Sequence, residues 1–137
     1  MANSFTTQIL EEGPRNVTMK LVGVLDASNQ SSEIAVDVST LNQGGIGPTP
    51  TAVRIDRMDY SITDQLGVQL SWDATTDVVA VAIAGRGNMC FRSSGGPLTN
   101  NAGTGKTGDI LIKTTGYASG TQTYTIVLQM VKQGTNL

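Results

Sequence analysis

Histidine is absent from this 137-residue chain. Its absence removes Ser-His-Asp and Cys-His catalysis, histidine-ligated zinc or iron, and imidazole acid–base chemistry near neutral pH. Cysteine is nearly absent too: the single Cys90 has no partner for a disulfide within the chain. Flanked by Met89 and Phe91, it reads as a small buried hydrophobe; a reactive thiol would instead draw on the cationic Arg86 and Arg92 nearby. Aromatic residues make up 4% of the chain and charged residues 15%. A carboxylate pair for glycoside hydrolysis would therefore lack the aromatic platforms of a sugar cleft, and Trp72, the one tryptophan, is expected in the core. The net charge of −2 gives no reason for nonspecific attraction to nucleic acid or to an anionic membrane. No apolar run reaches the roughly 18 residues of a membrane-spanning helix. The opening MANSFTTQILEEGPRN has neither the basic nor the apolar region of a signal peptide, so synthesis in a cytosol is expected.

What the chain does have is glycine, 16 residues of it, and a repeated period-two alternation of apolar and polar side chains. Leu66, Val68, Leu70 and Trp72 alternate with Gly67, Gln69 and Ser71, the pattern of a strand that buries one face. After the short polar link DATTD, residues 78–84 are apolar on both faces, which predicts a hairpin partner lying centrally and covered on both sides. Residues 15–25 alternate through Val17, Met19 and Leu21 and then turn apolar on both faces at Val22 and Val24. Residues 33–38 place Ile34, Val36 and Val38 on one face, and the DASNQSS loop before them allows pairing with the preceding strand. In residues 52–62, Val53 and Ile55 hold one phase and Met58, Tyr60 and Ile62 the other; a one-residue phase change is what a β-bulge produces. Further strands are predicted over residues 88–92, 109–115 and 121–132, the last with Tyr124, Ile126, Leu128 and Met130 on one face. No stretch carries a helical stripe. Seven to eight strands at these spacings predict an all-β, antiparallel β-sandwich, with jelly-roll order among the expected arrangements and residues 15–137 forming a single domain.

Residues 1–14 show little periodicity and end at a Gly-Pro turn, so they are expected to form an N-terminal arm that either packs on its own domain or reaches a neighbour. Two long segments, residues 39–51 and 93–108, are too rich in glycine and proline for a sheet interior. Glycine-rich loops lose much conformational entropy when ordered, and a partner surface is a common way to fix them. The candidate contact residues are therefore Phe5, Ile9 and Leu10 in the arm, Gly44, Gly45, Ile46 and Pro48 in the first loop, and Leu98, Asn100, Asn101 and Lys106 in the second.

Two motifs invite a chemical reading. Gly105-Lys106-Thr107 ends like a phosphate-binding P-loop, but the glycine that this loop needs five positions before Gly105 is Asn100, and a strand pattern follows where a helix should open. Asp56, Asp59 and Asp64 are close in sequence but do not match a calcium loop; solvent-exposed carboxylates paired with Arg54 or Arg57 are the expected account. Neither motif calls for a cofactor, a metal or a small-molecule substrate.

The segments Gly85-Arg86-Gly87-Asn88-Met89-Cys90-Phe91, Asn100-Asn101-Ala102-Gly103, Gly105-Lys106-Thr107-Gly108-Asp109-Ile110 and Ser119-Gly120-Thr121-Gln122-Thr123-Tyr124-Thr125, with Gly13-Pro14-Arg15-Asn16-Val17 and Lys20-Leu21-Val22-Gly23 before them, resemble small structural proteins of tailed bacteriophages, in particular the capsid decoration or cement class. The resemblance implies a non-enzymatic virion protein, made in the host cytoplasm, that binds the major capsid protein on the outside of an icosahedral head and stabilises it, often as a homotrimer. A receptor- or glycan-binding β-sandwich on the virion surface is the alternative, with the two glycine-rich loops as its site. A small nucleotide-dependent enzyme using Lys106 and Thr107 is the third reading.

Overall fold

The structure, a computed structural model, describes residues 3–13, 15–41, 50–91, 93 and 95–133. Among them are nine β-strands and one 3-10 turn, Val38–Thr40, and no α-helix. The strands are β1 (Ser4–Glu12), β2 (Asn16–Leu25), β3 (Glu33–Val36), β4 (Ala52–Ile62), β5 (Gly67–Trp72), β6 (Val78–Ala84), β7 (Arg86–Cys90), β8 (Ile110–Thr115) and β9 (Gln122–Gln133). They build two antiparallel sheets, in the orders β1-β2-β9-β4-β7 and β3-β8-β5-β6, packed as a β-sandwich.

The pairings nest. β5 pairs with β6, β4 with β7, β3 with β8 and β2 with β9, so the chain follows one long hairpin whose halves run back along each other. Successive pairs fall in alternate sheets, which wraps that hairpin around a shared core. Alternation supplies the core. Val17, Met19, Leu21 and Leu25 point inward from β2, Tyr124, Ile126, Leu128 and Met130 from β9, and Val68, Leu70 and Trp72 from β5. Complete burial of a large apolar side chain contributes about 1.5–3 kcal/mol. Trp72, 1% exposed, sits where its rarity placed it.

Gly23 has a packing reason. A side chain there would meet the Tyr124 ring at 2.2 Å, so the missing Cβ is the space the ring fills. Phe5, opposite Gly23 in the β1–β2 ladder, lies with its ring centroid 6.4 Å from that of Tyr124. The phase change in β4 is a bulge as expected: the β4–β9 register shifts between Ile55 and Arg57, leaving Asp56 as the extra residue. Val53 and Ile55 are buried before it and Met58 and Ile62 after it.

Four expectations need correction. Residues 4–12 take the first of the two alternatives, packing on their own domain, but as an edge strand of its sheet and not as an arm apart from residues 15–137: they are laddered to β2 from Ser4↔Val24 to Glu12↔Val17. β3 pairs with β8 in the second sheet rather than with β2, because residues 26–32 carry the chain across the sandwich. β6 is the edge of its sheet and not a central strand; only Ile83 in it is buried. Val22 and Val24 face outward and are half-buried, not enclosed.

Candidate functional site

The nested hairpin gathers its connections at two ends of the sandwich. One end carries the 3-10 turn, the start of β4, and the loops before β6 and β8. There the two glycine-rich segments meet. Ser39, Pro50 and Thr51 from the first and Asn100, Lys106, Thr107 and Gly108 from the second line a cleft of about 440 Å³ together with Val38 and Ala52. Gly108, at φ 88°, allows the approach: a side chain on it would stand 1.9 Å from the Thr51 carbonyl oxygen. Leu98 ties the loop to β4 by a reciprocal backbone pair with Ile55, both bonds 2.9 Å. Asn100 Oδ1 accepts from Ala102 N at 2.9 Å, while its Nδ2 is buried with no hydrogen-bond partner among the described residues. Asn101 and Lys106 are exposed.

The cleft lies beside carboxylates. Asp109 Oδ1 accepts from Val38 N at 3.0 Å, and burial raises its pKa above the ordinary value, with the charges of Asp37 and Asp73 adding to the rise. Thr107 donates to Asp73 Oδ2 at 2.9 Å, so the GKT sequence is a turn fastened to the β5–β6 connection, followed by strand β8. This is not the helix N-terminus that cradles phosphate. Asp56 and Asp59 pair with Arg54 and Arg57 at 3.2 and 3.3 Å, as the sequence suggested, but the Asp56 side chain is 5% exposed rather than solvated. No cluster of three or more metal-ligating residues occurs among the described residues. Cys90 is half-buried and accepts from Ser93 Oγ at 3.5 Å.

The candidate contact residues fall into separate groups. Phe5, Ile9 and Leu10 lie on β1, the outer edge of the first sheet. Phe5 is half-buried against the core, whereas Ile9 and Leu10 are 40% and 49% exposed. Leu10 is the bulge residue of the edge, since the β1–β2 register shifts between Ile9 and Glu11. Leu98, Asn100 and Lys106 belong to the loop end described above. Gly44, Gly45, Ile46 and Pro48 lie outside the described residues.

Anchors at both ends of β1 are what inspection of residue types passed over. Asn3 Oδ1 accepts from Asp26 N and Ala27 N at 3.0 and 3.1 Å, and its amide donates to Ser28 O at 3.0 Å. At the far end Lys132 Nζ donates to Glu12 Oε2 at 2.7 Å and to Gly13 O at 2.9 Å. Lys132 is 2% exposed. The available signal was phase: Lys132 continues the inward series of Tyr124, Ile126, Leu128 and Met130, and a buried lysine needs a partner.

A second network runs from the core at Tyr124 through buried Gln30 to the exposed Glu33. Tyr124 donates to Gln30 Oε1, and Gln30 Nε2 donates to Glu33 Oε2. The Gln30 backbone amide donates to Thr114 Oγ1 at 2.7 Å. Burial raises the Tyr124 pKa well above its ordinary value, and the Glu33 charge adds to that; the phenol remains protonated. Gln30 and Glu33, with Asn3, Ser4 and Phe5, line a polar cavity of about 240 Å³ between the start of β1 and β3.

Comparison with protein-family models and with curated proteins returns no match.

Proposed function

We propose that this protein is a non-enzymatic structural component of a virion, a decoration protein that binds the outer surface of an icosahedral phage head and stabilises it. The observation that carries the reading is the β1 edge. Among the described residues no strand pairs with its outer side, and it carries two adjoining exposed apolar side chains, Ile9 and Leu10, on a strand fixed at both ends by Asn3 and by the Glu12–Lys132 pair. An edge held rigid loses little entropy when a partner covers it. Such a strand is suited to contact. The nested order of strands is read as a jelly roll, an architecture used by viral capsid and lectin domains, which agrees with the sequence resemblance. Many copies on one lattice gain avidity, so each contact can be small. The major capsid protein is the proposed partner and three the copy number implied by the resemblance. The virion surface is the proposed location.

The alternative, a receptor- or glycan-binding sandwich, draws on one observation: both glycine-rich segments converge on the 440 Å³ cleft. Two measurements separate the readings. Sedimentation with heads assembled from a phage major capsid protein should show saturable binding and a raised head melting temperature. Glycan-array binding without head binding would favour the alternative.

A further inference from the structure

β6 has the sequence of an interior strand and the position of an edge. From Val78 to Ala84 it reads VVAVAIA, with no charge, hydroxyl, proline or glycine. Such runs belong to strands with neighbours on both sides and cover on both faces. Here β5 pairs with one side only, and among the described residues no strand lies on the other. Val79 is 51% exposed, and Ala82 and Ala84 are exposed as well.

Two of the other three edges carry the features that stop strands from pairing outward: β3 has four residues and a register shift, and β7 has five residues with Arg86 and Gly87 among them. The third, β1, is the contact edge proposed above and, unlike β6, is polar along most of its length. β6 has only the register shift opposite Leu70 and Ser71. Its direction is also fixed. One residue, Gly85 at φ 73°, joins β6 to β7, while Asn3–Phe5 and Glu33 share a cavity at the opposite flank. β6 therefore faces away from the β1 edge.

We infer that β6 pairs with the β6 strand of a second copy, antiparallel about a two-fold axis, joining two four-stranded sheets into one of eight. Charge and closure identify the occupant. A strand without charges places no like charges opposite one another when it meets its own copy. Pairing of β6 with β1 of another copy would join opposite flanks, a head-to-tail contact that continues without end unless its rotation closes, whereas β6 with β6 closes at two. The inference does not rest on the proposed function, and it places copies in pairs where the resemblance implies threes. A seven-residue seam is small beside the roughly 1,200 Å² or more of stable complexes, so the pair should form and separate with concentration.

The test is analytical ultracentrifugation of the full chain from micromolar to millimolar concentration, beside the double variant Val79→Lys/Ala82→Lys. Both positions are exposed, so the monomer should keep its melting temperature. Wild type should show a monomer–dimer equilibrium that the variant weakens by about tenfold or more, as like charges across the seam require. Hydrogen exchange of the wild type gives a second readout: amides of residues 78–84 should slow as concentration rises. A protein that stays monomeric, a trimer, a dimer unaffected by the two lysines, or exchange in β6 independent of concentration would each overturn the inference.

Discussion

β1 and β6 are both edge strands, and their sequences suggest the reverse of their positions. β1 is polar, weakly periodic and reads as an arm that packs on its own domain or reaches a neighbour, yet it is a sheet strand laddered along its length and clamped at both ends. β6 is uniformly apolar and reads as the centre of a sheet, yet one side is open. Alternation reports how deeply a side chain is buried, not how many strands flank it. β1 can be polar because most of it is exposed on both faces and its attachment comes from backbone and polar anchors. β6 remains apolar although no described strand flanks its outer side, and the inferred neighbour is therefore a second copy.

The β1 side of the comparison breaks most readily at Lys132. Lys132→Ala would leave Glu12 and the Gly13 carbonyl without their shared cation, and removing one partner of a buried pair typically costs about 3–5 kcal/mol. Chemical denaturation should show that loss, with exchange in residues 4–12 rising most. Deleting residues 2–14 is a poor probe of a contact surface for the same reason, since it strips β2 of one of its two neighbours. Gly23→Ala comes next: its methyl would enter the Tyr124 ring, and overpacking of a filled core costs about 1–3 kcal/mol. Equal stability of this variant would mean that the Phe5–Tyr124 contact does not hold β1.

Alkaline titration gives a smaller and more selective effect. The folded state holds the Tyr124 phenol protonated while the unfolded state ionises near the ordinary value of about 10, so stability should fall as pH rises above that value. Tyr124→Phe should lose that part of the pH dependence. It should also be less stable at neutral pH, because Gln30 Oε1 loses its donor. The smallest effect belongs to Asp109. Its raised pKa means that the ionised form subtracts from stability at neutral pH, and the penalty lifts as pH falls through the folded pKa toward the unfolded one. Asp109→Asn keeps an oxygen for Val38 N and should match or slightly exceed wild type in melting temperature at pH 7, with the difference shrinking in acid. A large destabilisation at pH 7 would contradict this.

Local features of the fold were legible in the sequence because local rules produce them. The bulge at Asp56 showed as a phase change between Ile55 and Met58, the β5–β6 hairpin as two apolar runs around DATTD, and Trp72 as a core anchor by its rarity. Strand partnership was not legible in the same way. Whether β3 meets β2 or β8 depends on contacts far apart in the chain, and residues 26–32 could have turned back or crossed over. Ile9 and Leu10 stood out in the sequence as large apolar residues in a polar stretch, and the structure leaves both exposed. The cleft was not found as one place, since only the fold brings Thr51 beside Gly108. Phe5 was read as a contact residue, but its ring packs against the core beside Tyr124.

The β1 edge as a contact surface is the central claim, and its most direct test is a binding isotherm on assembled heads, measured by co-sedimentation for wild type and for Ile9→Asp/Leu10→Asp. Saturation at a fixed ratio of copies by wild type, with affinity lowered by about tenfold or more in the variant and an unchanged melting temperature, is the predicted result. No association of wild type at any salt concentration, or binding by the variant equal to wild type, would contradict it.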